Sequence, residues 1–305
     1  MNIAFNWLSM TSDTVNEDPV QRAKLRQKLG LEPYLARREV LRFVNDEIHA
    51  ELYVYDEAAP VILFLPGIGT YSELYAECLS NLSDTGFNVI GIDLRGHGYS
   101  KGARGDYRVD QVVRDLVQIV DALSERFKGP IGVYGYSIGG LLAVALAEQD
   151  TRIQSVLCGT LLVTEIAPDV LHQFGWAWTW GTSLFFPAAR LPLKSFIDYD
   201  QLLSGHPAGR EINNDPRIVF DYPIGTLASL FTHPSGVAKK VYPFKSAIVH
   251  GENDEVLPYE YSEQVVRTLR HPFELIKVPG EGHMIPWDNP KQLSQVVSDW
   301  FKRSF

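Results

Sequence analysis

The chain has 305 residues, 45% of them apolar and 21% charged, with 24 Gly and 18 Pro. This ordinary globular usage excludes a disordered, collagen-like or coiled-coil protein and leaves ample length for a buried core. A formal charge of −9 with no basic run gives counterion release little to act on, which argues against a nucleic-acid partner.

In chain order, residues 1–36 read as a polar N-terminal extension. The first ten have neither a basic region nor a long apolar core, so no secretory signal is read there and the expected location is cytoplasmic. A charged helix is predicted over 19–29, stopped by Gly30 and Pro33. From residue 38 the pattern changes to strands: 38–44, then 51–55 with period-two alternation, then 61–65, a continuous apolar run suited to a strand covered on both faces. Similar runs follow at 88–93, 131–134, 155–158, 247–250 and 274–278. Helix-period segments at 73–82, 109–127 and 141–148 separate several of them. That alternation predicts an α/β fold with a mostly parallel sheet and helices on both faces.

The alternation stops after Cys158 and resumes near Ser246. Residues 161–243, rich in Pro and aromatics, are assigned to a mostly helical cap inserted into a core made of 37–160 and 244–305. No apolar stretch approaches the ~20 residues needed to cross a bilayer, so any membrane contact is expected to be peripheral, through the cap. Cys78 and Cys158, 80 positions apart in apolar surroundings, read as buried free thiols without a metal or redox role.

The sharpest local signal is Gly135-Tyr136-Ser137-Ile138-Gly139-Gly140, placed between a strand run and a helix pattern. So abrupt a reversal crowds the backbone two residues before and after its apex, where only Gly lacks the Cβ that would collide. Ser137 stands at the apex. A serine hydroxyl is a weak nucleophile and needs a base with a carboxylate to orient it. Asp254 follows the strand at 247–250 and His283 follows the strand at 274–278, so a parallel sheet brings both loops to the edge that carries Ser137. Asp221, Glu252 and Asp288 are weaker acid candidates, since none sits directly after a late strand at the matching offset. Acyl transfer also needs two oxyanion donors. The expected pair is the amides of Ile138 and of Ile68, the latter in the loop Pro66-Gly67-Ile68-Gly69, followed by Thr70-Tyr71-Ser72-Glu73, which reads as a capping box.

With Ser137, Asp254 and His283 in that order, and with Arg95-Gly96-His97-Gly98 and Arg104-Gly105 after the strand at 88–93, residues 38–305 resemble an α/β-hydrolase of the monoacylglycerol lipase/lysophospholipase group. Asn214-Asp215-Pro216 in the cap also resembles it. The resemblance implies a serine hydrolase without cofactor or metal: Ser137 attacks an acyl carbonyl, His283 shuttles the proton, Asp254 holds the His tautomer, and water releases the acid. Many members carry His-Gly where this chain has Pro66-Gly67, a departure on the leaving-group side. His97, Asp93 and Arg95 read as loop-fixing residues.

The cap supplies the substrate hint. Phe174, Trp176, Trp178, Trp180, Phe185 and Phe186 fall within 13 residues. On a helix 176 and 180 share a face while 178 points nearly opposite, so the cluster is expected to line a pocket or face outward in part. The expected substrate is a small-molecule or lipid-like ester with a medium or long apolar acyl group. Two other readings remain: acyl transfer or thioester or amide cleavage by the same triad, and a catalytically silent binding protein on this fold.

Overall fold

The structure, a computed structural model, describes residues 15, 17–194, 197–203, 206 and 208–305. The strands in chain order are β1 (Glu39–Phe43), β2 (Ile48–Tyr53), β3 (Val61–Leu65), β4 (Asn88–Ile92), β5 (Ile131–Tyr136), β6 (Ile153–Gly159), a short pair β7 (Arg190–Pro192) and β8 (Asp221–Pro223), then β9 (Lys245–Gly251) and β10 (Glu274–Val278). The 8-stranded sheet runs β1-β2-β4-β3-β5-β6-β9-β10. It is parallel from β4 to β10, with β1 and β2 antiparallel at one end.

The helices are α1 (Pro19–Leu29), α2 (Glu32–Leu35), α3 (Ala76–Ser83), α4 (Val109–Arg126), α5 (Ile138–Gln149), α6 (Val170–Ser183), α7 (Tyr199–Leu202), α8 (Gly209–Asn213), α9 (Ile224–Phe231), α10 (Tyr259–Thr268), α11 (Ile285–Asp288) and α12 (Pro290–Ser304). Period-two alternation divides their packing between the two faces of the sheet. In β3, Val61, Leu63 and Leu65 join the cluster under α4 and α5, while Ile62 and Phe64 join the one under α3 and α12. That is why the run is continuously apolar: both sides of the strand are buried.

Residues 161–243 leave the carboxyl edge after β6 and return at β9, its neighbour in the sheet. Their described regular elements are helices joined by loops, apart from β7 and β8, which pair antiparallel with Leu191 opposite Tyr222. Three-residue strands containing Pro are too short for periodicity to reveal. The N-terminal segment read as an extension is described at residue 15 and from 17 onward, and α1 and α2 pack against the rest of the chain. Asp18 caps α1, and Leu25 and Leu31 are buried in the core. Arg22 forms a charge pair with Asp215 of the inserted segment at 2.7 Å, and Arg26 grips Glu73 at 2.9 and 2.7 Å. The expected capping box is absent for the same reason: Glu73 is turned into this arginine cluster, and the Thr70 hydroxyl donates to the Gly67 carbonyl at 2.8 Å.

Candidate active site

The sharp turn from β5 into α5 places Ser137 at φ 54°, ψ −123°, a conformation side chains other than Gly rarely take. The glycines around it allow the turn, since a Cβ on Gly135 would run into the Gly139 carbonyl and one on Gly139 into the Leu65 carbonyl. The Ser137 amide donates to Gly159 at 2.7 Å, tying the apex to the adjacent strand end.

Asp254 follows β9, and its Oδ1 accepts the Val256 and Leu257 amides at 2.8 Å each. Its Oδ2 accepts Nδ1–H of His283, in the loop after β10, at 2.7 Å. Burial alone would raise this carboxyl's pKa. Hydrogen bonds from His250 and His283, the charge of His283 and the Leu257 amide outweigh burial and hold it well below the usual range. His250, which the sequence reading did not single out, lies 3.4 Å from Oδ2 while bonding Leu257 O and the Ser262 hydroxyl. Two further contacts fix the His283 loop: the Tyr136 hydroxyl donates to the His283 carbonyl, and Glu255 accepts the His283 amide at 3.3 Å. Glu252 bonds Lys277 and the Gly280 amide instead, Asp221 lies in β8 and Asp288 in α11, and His283 hydrogen-bonds none of the three.

Ser137 and His283 open into one cavity of about 150 Å³, shared with Gly67, Ile68 and Thr70 of the loop after β3. Ile138 is the first residue of α5, a position whose amide has no acceptor inside the helix. The Ile68 amide likewise has no acceptor among the described residues. The other walls are Tyr75, Tyr136, Ile197, Tyr199, Leu202, Val256, Met284 and Trp287.

Sequence reasoning missed those walls: Ile197, Tyr199 and Leu202 lie at α7, Val256 in the loop after β9, Met284 and Trp287 at α11, Tyr75 just before α3, and Tyr136 at the end of β5. Instead it offered the α6 aromatics. None of Phe174, Trp176, Trp178, Trp180 and Phe185 lines this cavity. Trp176 is buried by stacking on Phe231 of α9, 6.1 Å between rings, and the other four are exposed, Phe185 to 78%. α6 leans on α9 through Trp176 and Thr179, which turns the rest of the cluster outward. Asp93 accepts the Ser72 and Tyr99 amides and Arg95 pairs with Asp115, so both fix loops. Cys78 and Cys158 are free and buried, and burial pushes the Cys78 thiol up to about 12.

The model of the serine aminopeptidase S33 family matches residues 56–290. The chain belongs to this family of α/β hydrolases. The hydrolase is 24% identical to the serine hydrolase BPHL of Mus musculus over 263 residues, covering 84% of each chain. It is 26% identical to the bifunctional esterase/perhydrolase DCH of Acinetobacter calcoaceticus over 253 residues, covering 75% of this chain and 86% of the relative. Among solved structures, a monoacylglycerol lipase from Paleococcus ferrophilus superposes with a TM-score of 0.66 at 22% identity, covering 83% of this chain and 98% of that one, a likeness of fold. The chain is thus a serine-hydrolase-type α/β hydrolase. Among the described residues no helix is long and apolar enough to cross a membrane.

Proposed function

We propose that this hydrolase cleaves carboxylic esters with an apolar acyl group through Ser137, His283 and Asp254. The observation that carries the reading is the single apolar cavity shared by Ser137, His283 and Ile68, with Asp254 bonded to the far side of the His283 ring. Asp254 holds the proton on Nδ1, leaving Nε2 as the base. His283 takes the Ser137 proton as Oγ attacks the carbonyl carbon, and the Ile68 and Ile138 amides receive the charge on the carbonyl oxygen. His283 then protonates the departing alcohol. In the second half water gives its proton to His283 and attacks the acyl carbon, and His283 returns that proton to Ser137 Oγ as the Oγ–acyl bond breaks and the acid is released.

The lining supports an ester rather than an aminopeptidase substrate. Holding a peptide's α-ammonium calls for a carboxylate, and the described lining residues include none. An engineered cavity of about the same volume holds benzene, so a medium apolar acyl group fits. Rates on p-nitrophenyl esters should rise from acetate to about hexanoate; a steady fall from acetate onward would refute the apolar-acyl assignment. A fluorophosphonate probe should label wild type and not Ser137→Ala. Product analysis with added alcohols or amines separates hydrolysis from acyl transfer.

The outward face of α6 supports contact with an uncharged lipid surface. Leu171, Phe174 and Trp178 recur at helical spacing and are exposed, and residues 170–189 contain no Asp, Glu, Lys or Arg. Wild type should co-sediment with phosphatidylcholine vesicles, and Phe174→Ser/Trp178→Ser should not.

A further inference from the structure

The oxyanion loop is held by the cap as well as by the sheet. Gly67 O accepts both the amide and the hydroxyl of Thr70, at 3.2 and 2.8 Å. In a trans peptide C=O and N–H point in opposite directions, so anchoring Gly67 O on one side sends the Ile68 amide out on the other. The next residue, Gly69, is gripped from the cap on both of its backbone groups. Its carbonyl accepts the Val219 amide at 3.0 Å, and its amide donates to the Tyr222 hydroxyl at 2.8 Å. The approach is close: at φ 75°, a Cβ on Gly69 would sit 2.5 Å from Val219 O.

The direction of each bond in this chain is determined. Arg95 O can only accept, so His97 carries its proton on Nδ1, 3.0 Å away. Nε2 of a neutral His97 is therefore an acceptor, and it takes the Tyr222 hydroxyl proton at 2.6 Å. That leaves the Tyr222 oxygen to accept from Gly69. Burial keeps His97 neutral, pushing its pKa down to about 3, and both rings are fully enclosed. Protonation would place a second hydrogen between Nε2 and the tyrosine oxygen and break the sequence.

We infer that Tyr222 and His97 are positioning residues of the proposed reaction: Gly69 N–H to Tyr222 O–H to His97 Nε2 fixes the loop that presents the Ile68 donor, so the donor's aim depends on the seating of the cap. The inference rests on the serine-hydrolase reading of the cavity. It also gives the His97 of the Arg95-Gly96-His97-Gly98 segment a task that ends in the active site.

The test is Tyr222→Phe, which keeps the ring and removes the hydroxyl. Removing an oxyanion donor outright costs roughly 10²–10³ in rate, and loosening one should cost about 10-fold. The expected result is kcat down about 10-fold on a p-nitrophenyl ester with KM within 2-fold, and a parallel fall in the rate of fluorophosphonate labelling. His97→Leu should match it, His97→Gln, whose amide oxygen can accept from Tyr222, should recover at least half the lost rate, and Tyr222→Phe/His97→Leu should be no slower than either single variant. The His97 pair decides the matter if Tyr222→Phe does not fold. A Tyr222→Phe enzyme with kcat and labelling rate within 2-fold of wild type overturns the inference, as does His97→Gln no faster than His97→Leu. Failure of the probe to label wild type would instead overturn the serine-hydrolase reading itself.

Discussion

The backbone at Ser137 provides a test in which activity and stability move in opposite directions. At φ 54°, ψ −123° a side chain costs about 1–3 kcal/mol, and the surrounding strand and helix hold the residue there. Ser137→Gly releases that strain but adds freedom to the unfolded chain worth about 0.4–1 kcal/mol. The net expectation is a protein more stable than Ser137→Ala by about 1 kcal/mol. Ser137→Ala retains the Cβ and the strain, and the lost hydroxyl has no hydrogen-bond partner among the described residues, so this variant should fall within about 0.5 kcal/mol of wild type. Urea unfolding at matched pH measures the difference, which in a scan of a chain this long corresponds to about 1.5 °C in Tm. Both variants should be inactive. If Ser137→Gly is no more stable than Ser137→Ala, the turn is not strained and the reasoning from its dihedral angles is wrong.

Asp254→Asn should lower kcat by about 10³–10⁴ with little change in KM, because the amide no longer fixes the His283 tautomer; steady-state kinetics on any turned-over ester checks this. The Asp254 pKa is depressed in the folded protein, so its stabilisation is fully present above the unfolded carboxylate range near pH 4 and is lost as pH falls through the lower folded value. The gap in urea midpoint between wild type and Asp254→Asn should therefore be constant from about pH 5 to 7 and narrow below about pH 4; a gap that widens on acidification contradicts the assignment. Arg22 lies among Glu17, Tyr71, Glu73 and Asp215, and the Asp215 side chain is 1% exposed. Arg22→Met leaves that carboxylate without its ion-pair partner, with only the Tyr71 hydroxyl and the Arg217 amide still donating to it, and should cost about 3–5 kcal/mol, part of it recovered by Arg22→Met/Asp215→Asn. A loss under about 1 kcal/mol in urea unfolding would show that α1 does not hold residues 161–243.

The local features of this chain could be read directly from its residues. The strand from 61 to 65 is apolar on both faces, the pattern at 109 to 127 has helical period, and Gly135 and Gly139 stand where a Cβ would collide with backbone. Each is governed by neighbours a few residues away, and parallel order then brings Ser137, Asp254 and His283 to the same edge. What the sequence left open depends on contacts between distant segments. Whether an aromatic on α6 faces the cavity or solvent is decided by which side of that helix meets α9, and Trp176 took the inner place. Tyr199 and Trp287 became cavity walls because α7 and α11 close over the sheet edge, and Glu73 left its expected capping role because Arg26 arrives from 47 positions earlier in the chain. The bond from Gly69 to Tyr222 spans 153 positions, and no periodicity or spacing encodes a contact at that range. Local backbone sterics and the hydrophobic period determined the sharp turn at Ser137 and the sheet, whereas packing of residues 161–243 and α1 onto that sheet decided what surrounds Ser137.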